Sequence, residues 1–291
     1  MSVAEERASI GLESFPNTLY KYYSFDERYN EKRLQGELFF NSPNNFNDLF
    51  DAQHEIDNNI DLFEQYDDIC KRLKEIGYEN SQDVISVLKI KDDNSNQLKM
   101  DIRRKQIEHV GITCFTNNPL SVLMWAYYND NKGYCIEYDV NVIRKNIVSQ
   151  YQNILREKGN AKNRILAKSV TYTNTLPSAP LFFNKDNIIQ ILDKYFYKSK
   201  CWEHENEFRI VLSLGAMEIL FFENVIKSIT IGYNMKKENI ENLLKLILKV
   251  NSNIEVYFLR KIRGYDGLER VRYPQDELKN NEGNLEDYMN L

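Results

Sequence analysis

The stretch Trp202-Glu203-His204-Glu205-Asn206-Glu207-Phe208-Arg209, running into Ile210-Val211-Leu212-Ser213-Leu214, limits the fold of this chain more than any other. Phe208, Ile210, Leu212 and Leu214 share one alternating phase, the pattern of a half-buried β-strand. Successive strand side chains point to opposite faces. Extending the phase backward therefore gathers Glu203, Glu205, Glu207 and Arg209 on the other face, with neighbours roughly 6.5–7 Å apart. Three carboxylates in a row repel one another unless water, a cation or a ligand compensates them, and Arg209 can neutralise only one. Two readings stay open on spacing alone. One is a solvated strand face; the other is a carboxylate cluster at a cleft mouth, where crowding raises one pKa and supplies an acid or base.

The chain has 291 residues, enough for a sizeable core, and 42% of them are hydrophobic. Its net charge of −5 argues against a dominant non-specific nucleic-acid role, which needs a basic surface. The 19 tyrosines and 15 phenylalanines supply core volume or stacking surfaces. Met1-Ser2-Val3-Ala4-Glu5-Glu6-Arg7 carries no apolar signal core, and no run is long enough to span a bilayer. Cys70, Cys114, Cys135 and Cys201 lack metal-ligand spacing, so reduced thiols and a cytoplasmic location are expected, with no metal site among them.

Along the chain, residues 1–18 read as an N-terminal extension and residues 19–260 as one α+β domain. Its core is a mixed, mainly antiparallel central sheet flanked by helices. Strands are expected at Leu19–Tyr23, Glu37–Phe40, Val110–Thr116, Tyr134–Tyr138, Ala167–Tyr172, Glu218–Phe222, Ile226–Gly232 and Ile254–Leu259. Apolar residues at three- and four-residue steps give a helical insertion at about 58–109, broken by a polar linker at Lys91–Asn96. Further helices are expected at Asp26–Gln35, Ser121–Tyr128, Val140–Lys158, Asn187–Lys200 and Lys236–Val250. Residues 261–291 read as an acidic tail, mobile from Pro274 onward.

The sequence holds no Gly-rich phosphate loop, no GxSxG and no HExxH, and its histidines are His54, His109 and His204 alone. Four stretches have compositions that a plain core does not require. Tyr20-Lys21-Tyr22-Tyr23 sets a cation among rings, although a snorkelling lysine on an amphipathic strand explains that too. Phe46-Asn47-Asp48-Leu49-Phe50-Asp51 sets Asn and two acids between phenylalanines, which an Asx-turn with aromatic anchors would also explain. Met124-Trp125-Ala126-Tyr127-Tyr128 fits a core helix or a stacking surface beside the Asn129–Gly133 turn. The carboxylate stretch is the fourth.

Together these stretches resemble a bacterial family, domain-of-unknown-function family 2971, from about Leu19 to about Gly232. The resemblance rests on Tyr20-Lys21-Tyr22, Phe39-Phe40-Asn41-Ser42-Pro43, Phe46-Asn47-Asp48, Phe50-Asp51 and Cys114-Phe115-Thr116. It continues through Met124-Trp125-Ala126, Tyr128 and Gly133-Tyr134-Cys135 to Trp202-x-x-Glu205-x-Glu207-x-Arg209. Leu49 stands where the family commonly has proline, and Tyr127 where it has histidine.

The family name implies residues and no activity. A looser similarity, to the three-part layout of ADP-ribosyltransferases, implies an NAD-directed transferase or glycohydrolase, with NAD as substrate. A toxin or phage-defence effector would use such chemistry. By role, that likeness makes Glu207 the catalytic carboxylate, stabilising an oxocarbenium-like transition state, and Glu205 its partner. Trp125 and Tyr128 become stacking residues, Lys21 and Tyr22 grip ribose or phosphate, and Arg209 tunes Glu207. Asn47 and Asp48 join the ligand-binding set. One alternative is a metal-dependent phosphodiesterase or nuclease using Asp48, Asp51, Glu205 and Glu207. Another is a non-catalytic module that binds a ligand or a protein.

Overall fold

The computed structural model describes residues 15–48, 50–52, 55–57, 66–75, 77–89, 93–128, 130–157, 165–181, 192–280 and 285–289. Eight strands form the main sheet: β1 (Leu19–Tyr23), β2 (Gly111–Thr116), β3 (Tyr134–Tyr138), β4 (Ile165–Ser169), β5 (Glu207–Leu212), β6 (Ile226–Ile231), β7 (Glu255–Lys261) and β8 (Leu268–Tyr273). Their order is β8-β7-β6-β3-β1-β2-β5-β4. Only β6 and β7 pair in parallel, so the sheet is mixed and mainly antiparallel, as expected of an α+β chain. The described helices are α1 (Glu27–Leu34), α2 (Tyr66–Glu75), α3 (Ser81–Lys89), α4 (Asp93–Ile107), α5 (Val122–Tyr127), α6 (Val140–Glu157), α7 (Lys237–Val250) and α8 (Gln275–Asn280). No helix among the described residues is long and apolar enough to cross a membrane.

The registers decide what each face of the sheet carries. Phe208, Ile210 and Leu212 share a face with Phe115, Ile136, Tyr138, Ile229 and Ile231. That face packs against Ile143, Ile147 and Tyr151 of α6 and Ile240, Leu243 and Ile247 of α7, forming the main core. The spacing of three and four along each helix brings those residues onto one stripe, each worth about 1.5–3 kcal/mol on burial. The other face sets polar groups (Glu207 and Arg209 on β5, Cys114 and Thr116 on β2, Tyr20 and Tyr22 on β1, Glu137 on β3) among two smaller apolar clusters, one of which includes Val211, Ile112 and Leu166. Gly133 leads into β3 where a Cβ would lie 2.2 Å from the Tyr23 carbonyl oxygen, so only glycine lets the strands close there.

Three expectations need correction. The polar linker at Lys91–Asn96 is shorter than its composition suggests, because α4 already begins at Asp93. The helix expected at Asn187–Lys200 lies partly outside the described residues. Its second half holds a short 3-10 turn at Lys194–Phe196 and a strand, Tyr197–Ser199, paired in parallel with Thr171–Thr173. The final stretch is part of the fold where it is described. β8 pairs along β7, Leu278 and Leu285 are buried, and Tyr288 packs on Phe258 and Tyr273. Asp276, Glu286 and Asp287 face solvent, so the acidic composition hid these apolar anchors. Among the described residues the insertion contains three helices, whose Ile69, Leu73, Ile85, Leu88 and Ile102 share a small core with Leu181 from outside it.

Candidate active site

β5 begins at Glu207, not earlier. Residues Lys200–Glu205 form a 3-10 helix, and Asn206 takes the left-handed conformation (φ 46°, ψ 50°) that turns the chain into the strand. Asn tolerates that geometry better than other side-chain-bearing residues. The expected row of Glu203, Glu205, Glu207 and Arg209 on one strand face is therefore broken. Glu203 is exposed, while Glu205 is returned toward Glu207 by the turn, where Thr116 Oγ1 donates to the Glu205 carbonyl. The Glu207 backbone N–H donates to the Tyr172 hydroxyl at 2.8 Å.

The strand is also buried on both faces, where half-burial was expected. Arg209, with 0% exposure, holds Asp51 through two parallel bonds of 2.7 Å, Glu207 at 2.6 Å and the Tyr195 carbonyl at 2.8 Å. Lys198 Nζ lies 2.8 Å from Glu207 and 3.4 Å from Asp51, and also bonds Glu205. Two cations thus serve three carboxylates, one from the loop at Asp51 and two from the Glu205–Glu207 turn and strand.

Charge counting decides where the surplus proton goes. Burial pushes Glu207 up, but Arg209 and Lys198 outweigh it and hold its carboxyl far below the usual range. Burial also drives Glu205 up, reinforced by its hydrogen bond to Glu207 and the charge there, and its pKa is pushed up to about 8. The same carboxylates hold Lys198 and Arg209 protonated against their burial. At neutral pH Glu207 is therefore ionised while Glu205 carries a proton. Glu205 keeps 12% side-chain exposure, so this acidic group reaches solvent.

The aromatic residues divide. Tyr22 packs edge-on against Trp125 at 5.1 Å and stacks on Tyr128 at 5.5 Å, while its hydroxyl donates to the Asn118 carbonyl. Trp125 is fully buried in the cluster of Tyr20, Tyr22 and Met124 and donates to the Pro119 carbonyl, so it has no free face. Tyr128 remains partly exposed. Tyr127, Trp202 and His204 form a second ring cluster with centroids about 6 Å apart, and Lys198 Nζ sits 5.2 Å over Trp202.

Lys21 does not join them. It pairs with Ile136 on the apolar face, bonding Thr113 Oγ1 and the Cys114 carbonyl and lying over the Phe115 ring. Burial lowers its pKa. Tyr22 and Glu207 project from the opposite side of the sheet, so a joint grip by Lys21 and Tyr22 is excluded in this arrangement. Asn47 is exposed, and Asp48 Oδ1 caps the Phe50 N–H in an Asx-turn. That loop delivers Asp51 to the cluster. His54 lies outside the described residues. Burial pushes the Cys114 thiol up to about 12, which makes it an inert core residue.

Sequence reading missed Lys198 and Tyr172, paired across the Thr171–Thr173 and Tyr197–Ser199 ribbon. The signal was the run Tyr195-Phe196-Tyr197-Lys198, aromatic enough for a strand. As for a cation site, no group of three or more His, Cys, Asp or Glu among the described residues is disposed to hold a metal ion. Lys198 Nζ already occupies the point among the three carboxylates that a divalent ion would need. On the far side of the ribbon lies a cavity of about 270 Å³, bounded by Phe50, Leu176 and the Tyr197–Ser199 strand.

No curated protein and no solved structure gives a significant match to this chain. One family model does, over α5, β3, α6, β4 and most of the carboxylate strand. Through residues 124–210 the chain matches Protein of unknown function (DUF2971), the family that its motifs from Met124 to Arg209 point to.

Proposed function

We propose that this chain is an NAD-directed ADP-ribosyltransferase or glycohydrolase built around Glu205 and Glu207. One juxtaposition carries the reading. Three adjacent strands, β1, β2 and β5, present Tyr22, Thr116 and Glu207 on one face, with a proton-bearing Glu205 beside Glu207 and the Tyr22–Tyr128 stack alongside. With Lys21 on the far face, β1 contributes only tyrosines, and within the Tyr22–Trp125–Tyr128 group Tyr128 is the exposed ring.

The geometry favours exchanging the roles read from the sequence. Glu207 is clamped by two cations and acts as a positioning residue, whereas Glu205 reaches solvent and changes charge near neutral pH. Breaking the bond between ribose C1′ and the pyridinium nitrogen sends its electron pair to that nitrogen, and nicotinamide leaves neutral without needing a proton. The oxocarbenium-like sugar is stabilised by ionised Glu205, which then takes the proton of the water or acceptor adding to C1′. Activity should therefore climb as pH rises through about 8. The position of Lys198 weighs against the metal-dependent reading, and the cavity favours a binding module as the second reading.

The test is nicotinamide release and transfer of adenylate-labelled ADP-ribose, measured with the full chain at pH 7 and pH 9. The wild type should consume NAD, faster at the higher pH, and Glu205→Gln and Glu207→Gln should abolish both products. A wild type that leaves NAD intact with water and with lysate acceptors, or variants as active as the wild type, would overturn the proposal.

A further inference from the structure

The cavity beside the ion cluster has a lining of different chemistry. Along the ribbon, Tyr172 opposes Lys198, and both serve the cluster through the Glu207 N–H and the carboxylates. Thr173 opposes Ser199, and strand alternation turns this pair to the other side, where both line the cavity. Thr175 adds a third hydroxyl, its N–H already capped by Thr173 Oγ1. Apolar surfaces complete the lining: Phe50, 60% exposed, with Leu176 and Tyr197.

Two facts limit what such a cavity can hold. Among the described lining residues only Lys198 is charged, and its ammonium is committed to Asp51, Glu205 and Glu207, so the lining itself offers hydroxyls and the Asn174 amide but no uncommitted cation. Its volume of about 270 Å³ lies just below the usual range for drug-sized sites, room for one ring system and a small appendage. The exposed Phe50 ring takes a planar group, and clustered hydroxyls take sugar hydroxyls.

We infer that this cavity is a binding site for a neutral nucleoside, its base against Phe50 and Tyr197 and its sugar against Thr173 and Ser199. Both walls are tied to the ion cluster. Phe50 precedes Asp51, which Arg209 clamps, and Ser199 follows Lys198. The inference goes beyond the proposed reaction, because it concerns binding without turnover.

Adenosine is the probe, titrated by calorimetry and by ligand-observed saturation-transfer NMR, with AMP, adenine and ribose as comparators. Adenosine should bind at least about 10-fold more tightly than AMP, adenine or ribose. Phe50→Ala should weaken it about 10-fold, and Thr173→Val or Ser199→Ala about 5-fold. Each variant is first matched to the wild type by thermal midpoint. Tyr265→Ala, on an 80% exposed side chain in the turn after β7, should bind as the wild type does. No adenosine binding up to millimolar concentration would overturn the inference. So would AMP binding as tightly as adenosine, or lining variants that bind unchanged. Failure of NAD turnover leaves these readouts intact, so the two proposals fail separately.

Discussion

Replacing Lys198 with methionine tests the charge balance at its centre. The side chain is 6% exposed, and its ammonium lies 2.8 Å from Glu207 and 3.4 Å from Asp51. At an effective dielectric of about 20, those separations correspond to gross attractions of about 6 and about 5 kcal/mol. Most of that sum offsets the several kcal/mol needed to desolvate each ion, so it is not the net effect. Removing one partner is different, because it leaves the buried carboxylates one cation short. Truncations of this kind cost roughly 3–5 kcal/mol. Urea unfolding at pH 7, comparing midpoints at constant slope, should show a loss in that range for Lys198→Met. Lys227→Met, which removes a lysine 42% exposed and 3.7 Å from Asp139, should cost less than about 1 kcal/mol. Adding Glu207→Gln to Lys198→Met restores the balance, and the double variant should lose less than the sum of the singles. A loss below about 1 kcal/mol for Lys198→Met, or strict additivity, would refute the reasoning.

The remaining predictions concern neighbouring groups. Glu205 has a folded pKa of about 8 against an ordinary value of 4.5, so it favours the folded state fully below that lower value and loses the contribution as pH rises through 8. Measured against Glu205→Gln, wild-type stability should fall between pH 5 and pH 9, by about 1–3 kcal/mol after allowing for solvent; a flat difference would be wrong for this account. Glu207 runs the opposite way, contributing above its ordinary range and losing the contribution in acid, so Glu207→Gln should flatten the acid limb of the stability profile. Tyr172→Phe leaves the buried Glu207 N–H without its acceptor and should cost about 1–2 kcal/mol in the same assay. Gly133→Ala sets a Cβ 2.2 Å from the Tyr23 carbonyl oxygen and should lower the thermal midpoint by several degrees.

How far the sequence could be read depended on whether the physics was local. Alternation of Phe208, Ile210 and Leu212 located β5 and its apolar face, because the period of two is written in neighbouring residues. The same alternation failed at Glu205, since one left-handed residue, Asn206, ends the strand phase. Burial of the charged face was illegible. Asp51 and Lys198 reach it from 158 and 11 positions away from Arg209, and only their meeting makes an interior Glu207 tolerable. Lys21 shows the converse. A cation between tyrosines looked like a ligand grip, yet register sends it to the face opposite Tyr22 and Glu207. The C-terminal residues misled by composition, because Leu278, Leu285 and Tyr288 anchor a segment whose charges dominate its average.

The claim on which the account turns is that two cations among three carboxylates leave one proton on Glu205 at neutral pH. A carbon-13 NMR titration of glutamate carboxyl groups, with Glu205 assigned by its loss in Glu205→Gln, reads that proton directly. The account predicts a midpoint near pH 8 for Glu205 and no titration of Glu207 above the usual carboxylate range. A Glu205 midpoint near its ordinary value of 4.5 would contradict it.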